Sequence, residues 1–243
     1  MKLIKQLLES DEFFKHKVQI EQFLYKHNIA NYTINNDLSV DVNQNVDLSG
    51  ARGYEFENGF PIQFGKIQGH FNCEDTQMKT LRGCPSYVEH NFICSDNEIT
   101  SLEYCPTYVG GYFDCESNKI QSLKGCPLEV GESFFCSNNS LKTLKYGPRE
   151  VGGNYICDWN HLENLIGAPR RINGNFSCGS NKLTSLEGSP KYVERDFECP
   201  NNYLTSLVGA PREVSGNFNC TLNNLKSLDE IGIVHGQIYS DLK

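Results

Sequence analysis

The chain is nearly devoid of methionine and tryptophan, with two of the first and one of the second among 243 residues. Positive charge is also scarce. Twenty-two lysines and arginines stand against 30 aspartates and glutamates, a net charge of −8, which argues against a nucleic-acid or anionic-lipid surface as the main partner. No apolar run has the length of a membrane span. The opening MKLIKQLLESDEFFKHK breaks its apolar pattern with Lys5, Gln6 and Glu9, so it reads as an amphipathic helix and not a signal peptide. No obvious catalytic motif is present. The 11 cysteines are an odd number, and a reducing, cytoplasmic setting is the simpler expectation.

What is present is a period. Cys73, Cys94, Cys115, Cys136, Cys157, Cys178, Cys199 and Cys220 recur every 21 residues without an insertion. Two residues before each stands an aromatic, from Phe71 to Phe218, with Tyr155 as the one tyrosine. Three residues after comes asparagine from Asn97 to Asn223, replaced only by Thr76 in the first copy. Met78, Ile99, Ile120 or a leucine follows at five, leucine at eight, then proline from Pro85 to Pro211, and a valine or isoleucine from Val88 to Val214.

On an extended strand the aromatic and the cysteine, two apart, share one face, which is the core. The asparagine falls where the chain leaves the strand, and its amide can bond backbone groups of its own and the neighbouring coil. The proline bends the return. One unit cannot bury its apolar face alone, whereas stacked copies bury it against each other.

Phe-x-Cys-x-x-Asn-x-Leu resembles the Leu-x-Leu-x-x-Asn-x-Leu segment of leucine-rich repeats. It departs from that pattern in placing valine four residues before the aromatic and in lacking a helical return. With the run NYTINNDLSVDVNQNVDLSG, residues 31–228 are similar to the leucine-rich-repeat proteins of tailed bacteriophages. The resemblance implies a recognition role. The expected fold is a β-rich solenoid of about eight 21-residue repeats at 51–228, with a parallel concave sheet and no regular helix on the convex side. Residues 1–50 are expected to form an N-terminal cap, a helical segment built on Leu3, Ile4, Leu7, Leu8, Phe13, Phe14, Phe23 and Leu24 followed by an antiparallel meander. Residues 229–243 form a C-terminal cap.

The cysteines invite sharper readings. A metal site needs ligands that converge, whereas a column spreads them along a line. Disulfides need a crossed dihedral that parallel neighbours reach poorly. A small, soft core residue explains them better. Cys84, Cys105 and Cys126 form a second column whose slot later holds Gly147, Ala168, Ser189 and Ala210. No cysteine is left over as a nucleophile, and no cofactor or metal is expected.

Outward positions vary. Ile93, Tyr112, Phe135 and Ile156 are the apolar exceptions among them, rimmed by Asp114, Glu116 and Asp158, and Trp159 fills a slot held elsewhere mostly by Asp, Ser or Asn. These eight form the expected partner-binding patch, suited to a host-encoded protein bearing lysine or arginine around an apolar knob. The basic positions Arg149, Arg170, Arg171, Lys191 and Arg212 lie among Glu129, Glu150 and Glu213 and disfavour nucleic acid. The expectation is a non-enzymatic recognition module or inhibitor. Its rivals are an acidic decoy for nucleic-acid-binding proteins and a cysteine-based redox or metal protein.

Overall fold

The computed structural model describes residues 15–51 and 55–242. The apolar stripe expected from Leu3 to Phe14 lies outside them. Within them the chain is a β-solenoid of about nine turns. Its one helix, α1 (15–26), buries Ile20, Phe23 and Leu24, the i, i+3, i+4 spacing that lines up one helical face. The Phe23 ring meets Phe56 and Phe64 edge-on at 6.1 and 6.3 Å, so α1 seals the apolar end of the first coils. No described helix is long and apolar enough to cross a membrane.

An antiparallel pair follows, β1 (Tyr32–Ile34) against β2 (Ser39–Val42). The structure departs from the expected meander beyond this pair. β2 runs parallel to β4 (Gln63–Ile67), and β3 (Val46–Asp47) runs parallel to β5 (Phe71–Asn72). Val42, Val46 and Leu48 therefore occupy the valine, aromatic and cysteine slots of a coil that precedes the first cysteine. The alternation of apolar and polar residues is the same for either strand direction, so periodicity could not tell them apart.

Every later coil contributes two short strands. The Phe-x-Cys strands build a ten-stranded parallel sheet from β3 to Ile238–Tyr239. The valines build a second layer, seven strands from β1 to Glu150–Val151, parallel from β2 onward, and four parallel strands from Arg171–Ile172 to Ile233–Val234. The sequence reading has no second layer. Its strands are two residues long, one buried and one turned out, too short for a period to register.

Between the layers the aromatic, cysteine and aliphatic slots are buried from Phe71 to Leu207. The aromatic rings stack at 5.0–5.8 Å along the solenoid. Most neighbours are near parallel, but Phe134 and Tyr155 tilt by 50°. The Tyr155 hydroxyl is buried without a hydrogen-bond partner. It fits because the small-residue slot beside it holds Gly147, where a Cβ would lie 3.1 Å from that oxygen. An unpaired buried hydroxyl costs about 1–3 kcal/mol. Tyr155→Phe is therefore expected to stabilise the fold by about 1 kcal/mol, the void beside Gly147 offsetting part of the gain. Urea unfolding measures this, and a lower midpoint in the variant would mean that the hydroxyl is satisfied in solution.

The asparagine ladder behaves as the sequence suggests. Asn118 Oδ1 accepts from Ile99 N at 2.9 Å in the preceding coil, and its Nδ2 donates to Cys94 O at 2.9 Å and to carbonyls of its own coil. The pattern repeats to Asn223. Thr76 takes the asparagine's place in the first copy, its Oγ1 lying 2.8 Å from Cys73 O of its own coil and 3.1 Å from Asn97 Oδ1 of the next.

Candidate functional site

All 11 cysteines are free and buried. Several Sγ–H groups donate to the next coil's carbonyl, among them Cys73 to Ile93 O at 3.3 Å and Cys157 to Ser177 O at 3.1 Å. Burial pushes the Cys94, Cys115 and Cys157 thiols well above their ordinary range and Cys220 to about 11. The thiolate needed for nucleophilic or redox work is thus disfavoured. Among the described residues no three His, Cys, Asp or Glu side chains converge as a metal site would require.

The outward face of the ten-stranded sheet is where coils differ. Ile93, Asp114, Phe135 and Ile156 stand opposite one another on four consecutive strands, so their side chains form one row about 4.8 Å apart. All four are half-buried. The Tyr112 ring packs edge-on against Phe135 at 5.9 Å and 73°. The sequence signal therefore brings together Ile93, Tyr112, Asp114, Phe135 and Ile156.

The column containing Tyr112 is not free surface, as its variable polar residues suggest, but a second ladder. Asn154 Oδ1 accepts from Asn175 N at 2.8 Å, Asn175 Oδ1 from Asp196 N, Asp196 Oδ1 from Asn217 N, and His70 Nδ1 from Asn91 N. Ser133 Oγ serves Asn154 N in the same way. Tyr112 keeps its own ladder bond, its N–H donating to Asn91 Oδ1 at 3.1 Å, but its side chain offers the next coil no such acceptor and packs on Phe135 instead.

Asp114 lies between the Ile93 and Phe135 strands. Burial raises its carboxyl to about 6, with Glu116, Glu74 and Asp96 adding repulsion, while the Glu116 N–H donates to Oδ1 at 3.0 Å and opposes the shift. It has no ion pair among the described residues. One residue beyond the cysteines, Ser137 is flanked by Glu116 and Asp158 on adjacent coils, and its buried Oγ has no partner. Asp158 is partly committed, accepting from Ser177 Oγ at 2.7 Å and Gly179 N at 2.5 Å. Burial raises its carboxyl too, against the pull of those two donors.

Trp159 sits apart from this row. It occupies the turn after the strand, 67% exposed and at a left-handed φ of 53°. The basic stripe is partly consumed, since Arg171 pairs with Glu194 and lies 4.9 Å over the Tyr192 ring. Sequence reasoning missed a second left-handed slot, held by Gly83, Gly125, Gly167, Gly188 and Gly209 but by Tyr104, Tyr146 and Glu230 in three coils. Tyrosines in a glycine slot were the available signal.

Comparison with protein-family models, with curated proteins and with solved structures finds no match.

Proposed function

We propose that the chain is a non-catalytic recognition module whose sheet face binds a protein partner through Ile93, Tyr112, Asp114, Phe135 and Ile156. One observation carries this reading. The Tyr112 ring, in a column whose other side chains accept from the next coil's backbone, packs instead on Phe135 beside Asp114, a half-buried carboxylate without an ion pair among the described residues. Such an arrangement weakens the free protein and is completed by a partner. The complement is an apolar knob beside a lysine or arginine, whose N–H groups would reach Asp114 and Glu116. A rigid stack loses little entropy on binding. The resemblance to phage repeat proteins makes a host protein the expected partner and inhibition the expected outcome.

The sign of the pH dependence follows from Asp114. A carboxyl at about 6 in the free protein must lose its proton to face a cation, so affinity is flat above pH 6 and falls as pH drops below it. Between pH 7 and pH 5 the loss is about tenfold. The test is capture from host lysate with the intact chain beside Phe135→Ala/Ile156→Ala, followed by titration of the captured protein at both pH values with wild type and Asp114→Asn. The double variant should lose the partner and Asp114→Asn should flatten the pH response. A partner kept equally by wild type and the double variant rejects this face.

A further inference from the structure

The departures from the repeat concentrate in one coil. Between Tyr146 and His161 the chain places tyrosine in a glycine slot, glycine in a cysteine slot, tyrosine in the phenylalanine column and tryptophan in the turn. The valine layer also breaks there, between Glu150–Val151 and Arg171–Ile172. Gly147 makes room for the Tyr155 hydroxyl, but the tryptophan in the turn has no such compensation, and a local rule broken without a packing gain is a mark of a functional site.

Trp159 is the sharpest case. Its slot is left-handed in every coil, with φ from 50° to 55° at Asp75, Asp96, Ser117, Asn138, Ser180, Asn201 and Leu222. Asp and Asn tolerate that conformation, whereas a bulky ring is strained by it. The fold gains little in return, since the ring is 67% exposed. It forms one wall of a groove of about 510 Å³ that also holds Tyr203, His161, Lys182, Asn138 and Asn201. Tyr203 is a second exposed ring, at 57%. No residue of the Phe135 row lines this groove, and in a chain with 30 acidic residues its lining has none.

The chemistry of the groove is that of amides and hydroxyls between aromatic platforms. Its floor amides, Asn139, Asn160, Asn181 and Asn202, are committed to backbone groups. The rim groups are not. Asn138 and Asn201 donate through Nδ2 to Ser117 and Ser180 Oγ at 3.2 and 3.0 Å and leave Oδ1 open as acceptors. His161 uses Nδ1 on Asn160 O and leaves Nε2, and the Lys182 ammonium makes no ion pair among the described residues. Acceptors and donors thus alternate around two rings, as polyhydroxylated ligands require. Trp159 and Tyr203 are two coils apart, about 10 Å along the stack, with Tyr203 two residues further along its coil, an axial spacing that spans about two sugars in an extended chain of pyranose rings.

We infer that this groove binds a neutral oligosaccharide, with sugar faces stacked on Trp159 and Tyr203 and hydroxyls bonded to Asn138, His161, Lys182 and Asn201. A single-stranded nucleic acid would also stack, but it brings a phosphate with each base and meets a single lysine here. This site is separate from the sheet-face reading and stands or falls without it.

The single tryptophan makes the test specific, because emission excited selectively through the indole, away from the absorption of the 12 tyrosines, reports on this groove alone. The chain is titrated with cellohexaose, maltohexaose and chitohexaose. At least one should give a saturable emission shift, weakened about tenfold by Tyr203→Ala and unchanged by Phe135→Ala/Ile156→Ala. Calorimetry with Trp159→Asn should show binding lost in a protein that melts at a higher temperature, which separates loss of the site from loss of the fold. Silence with all three sugars through the millimolar range overturns the inference, as does a shift indifferent to Tyr203→Ala. A response to oligothymidylate alone that collapses with added salt reassigns the groove to nucleic acid and also overturns it.

Discussion

Asn139→Ala is expected to lower the stability of the stack by roughly 3–5 kcal/mol, a large share of what a domain of this size commonly has. The side chain is 7% exposed and serves both coils that it touches. Its Oδ1 accepts from Ile120 N at 2.9 Å, and its Nδ2 donates to Cys115 O at 2.9 Å, Ser137 O at 3.1 Å and Cys136 O at 3.3 Å. The three carbonyls keep other donors, since Asn118 also reaches Cys115 O, Asn160 reaches Cys136 O and Ser117 N reaches Ser137 O. The Ile120 N–H does not. It is left unpaired in the core, and that orphan accounts for the largest part of the loss. Asn139→Asp distinguishes this account from a simple loss of volume. The carboxylate can still accept from Ile120 N but faces three carbonyl oxygens, so it should be destabilising at pH 7 and partly rescued at pH 4, where the protonated acid donates again. Urea unfolding of both variants at the two pH values checks this. Equal stability of Asn139→Asp at both values would contradict the assigned bond directions.

The stacked fold was legible because its signals repeat at one spacing, each with a physical cause. The Cys94 and Phe92 slots face the core, and Asn97 bridges coils, as two-residue alternation and amide chemistry require. The valines recur with the repeat, but that they form a strand layer was not legible, because a pair such as Tyr87–Val88 is too short to show the alternation of a strand. Nor was the start of the stack at Val42 and Val46, where aliphatic residues stand in for the aromatic and the cysteine.

The candidate site was legible in part. The spacing alone put Ile93, Asp114, Phe135 and Ile156 in one row, because the coils stack in register. The Tyr112 ring gained its meaning only from the ladder in which its neighbours' side chains accept, and that ladder was hidden: Asn154, Asn175 and Asp196 look like ordinary exposed polar residues, yet each accepts from the next coil's backbone. Trp159 was conspicuous as a lone residue type in its slot. Its left-handed backbone was not, and that conformation turns an odd residue into a strained one.

Phe134→Ala should have an effect of the same size but a different form. The ring is fully buried between Phe113 at 5.4 Å and Tyr155 at 5.1 Å, and removing it costs about 3–5 kcal/mol in lost transfer energy and residual cavity. In a compact domain that loss is shared by one cooperative unit. Here each coil packs chiefly on its two neighbours, so the weakened interface lies in the middle of a nearly one-dimensional stack. The halves on either side keep their own contacts, with α1 sealing the first of them. Phe134→Ala is therefore expected to split thermal unfolding into two steps, and hydrogen exchange should speed up first in the coils around residue 134. Phe218→Ala removes the same ring near the end, under a last coil whose Ile238 is already 43% exposed. It should fray that coil at a smaller cost and leave one main transition. Equal losses and single transitions for both variants would show that the stack behaves as one unit, against the near-neighbour account of its stability.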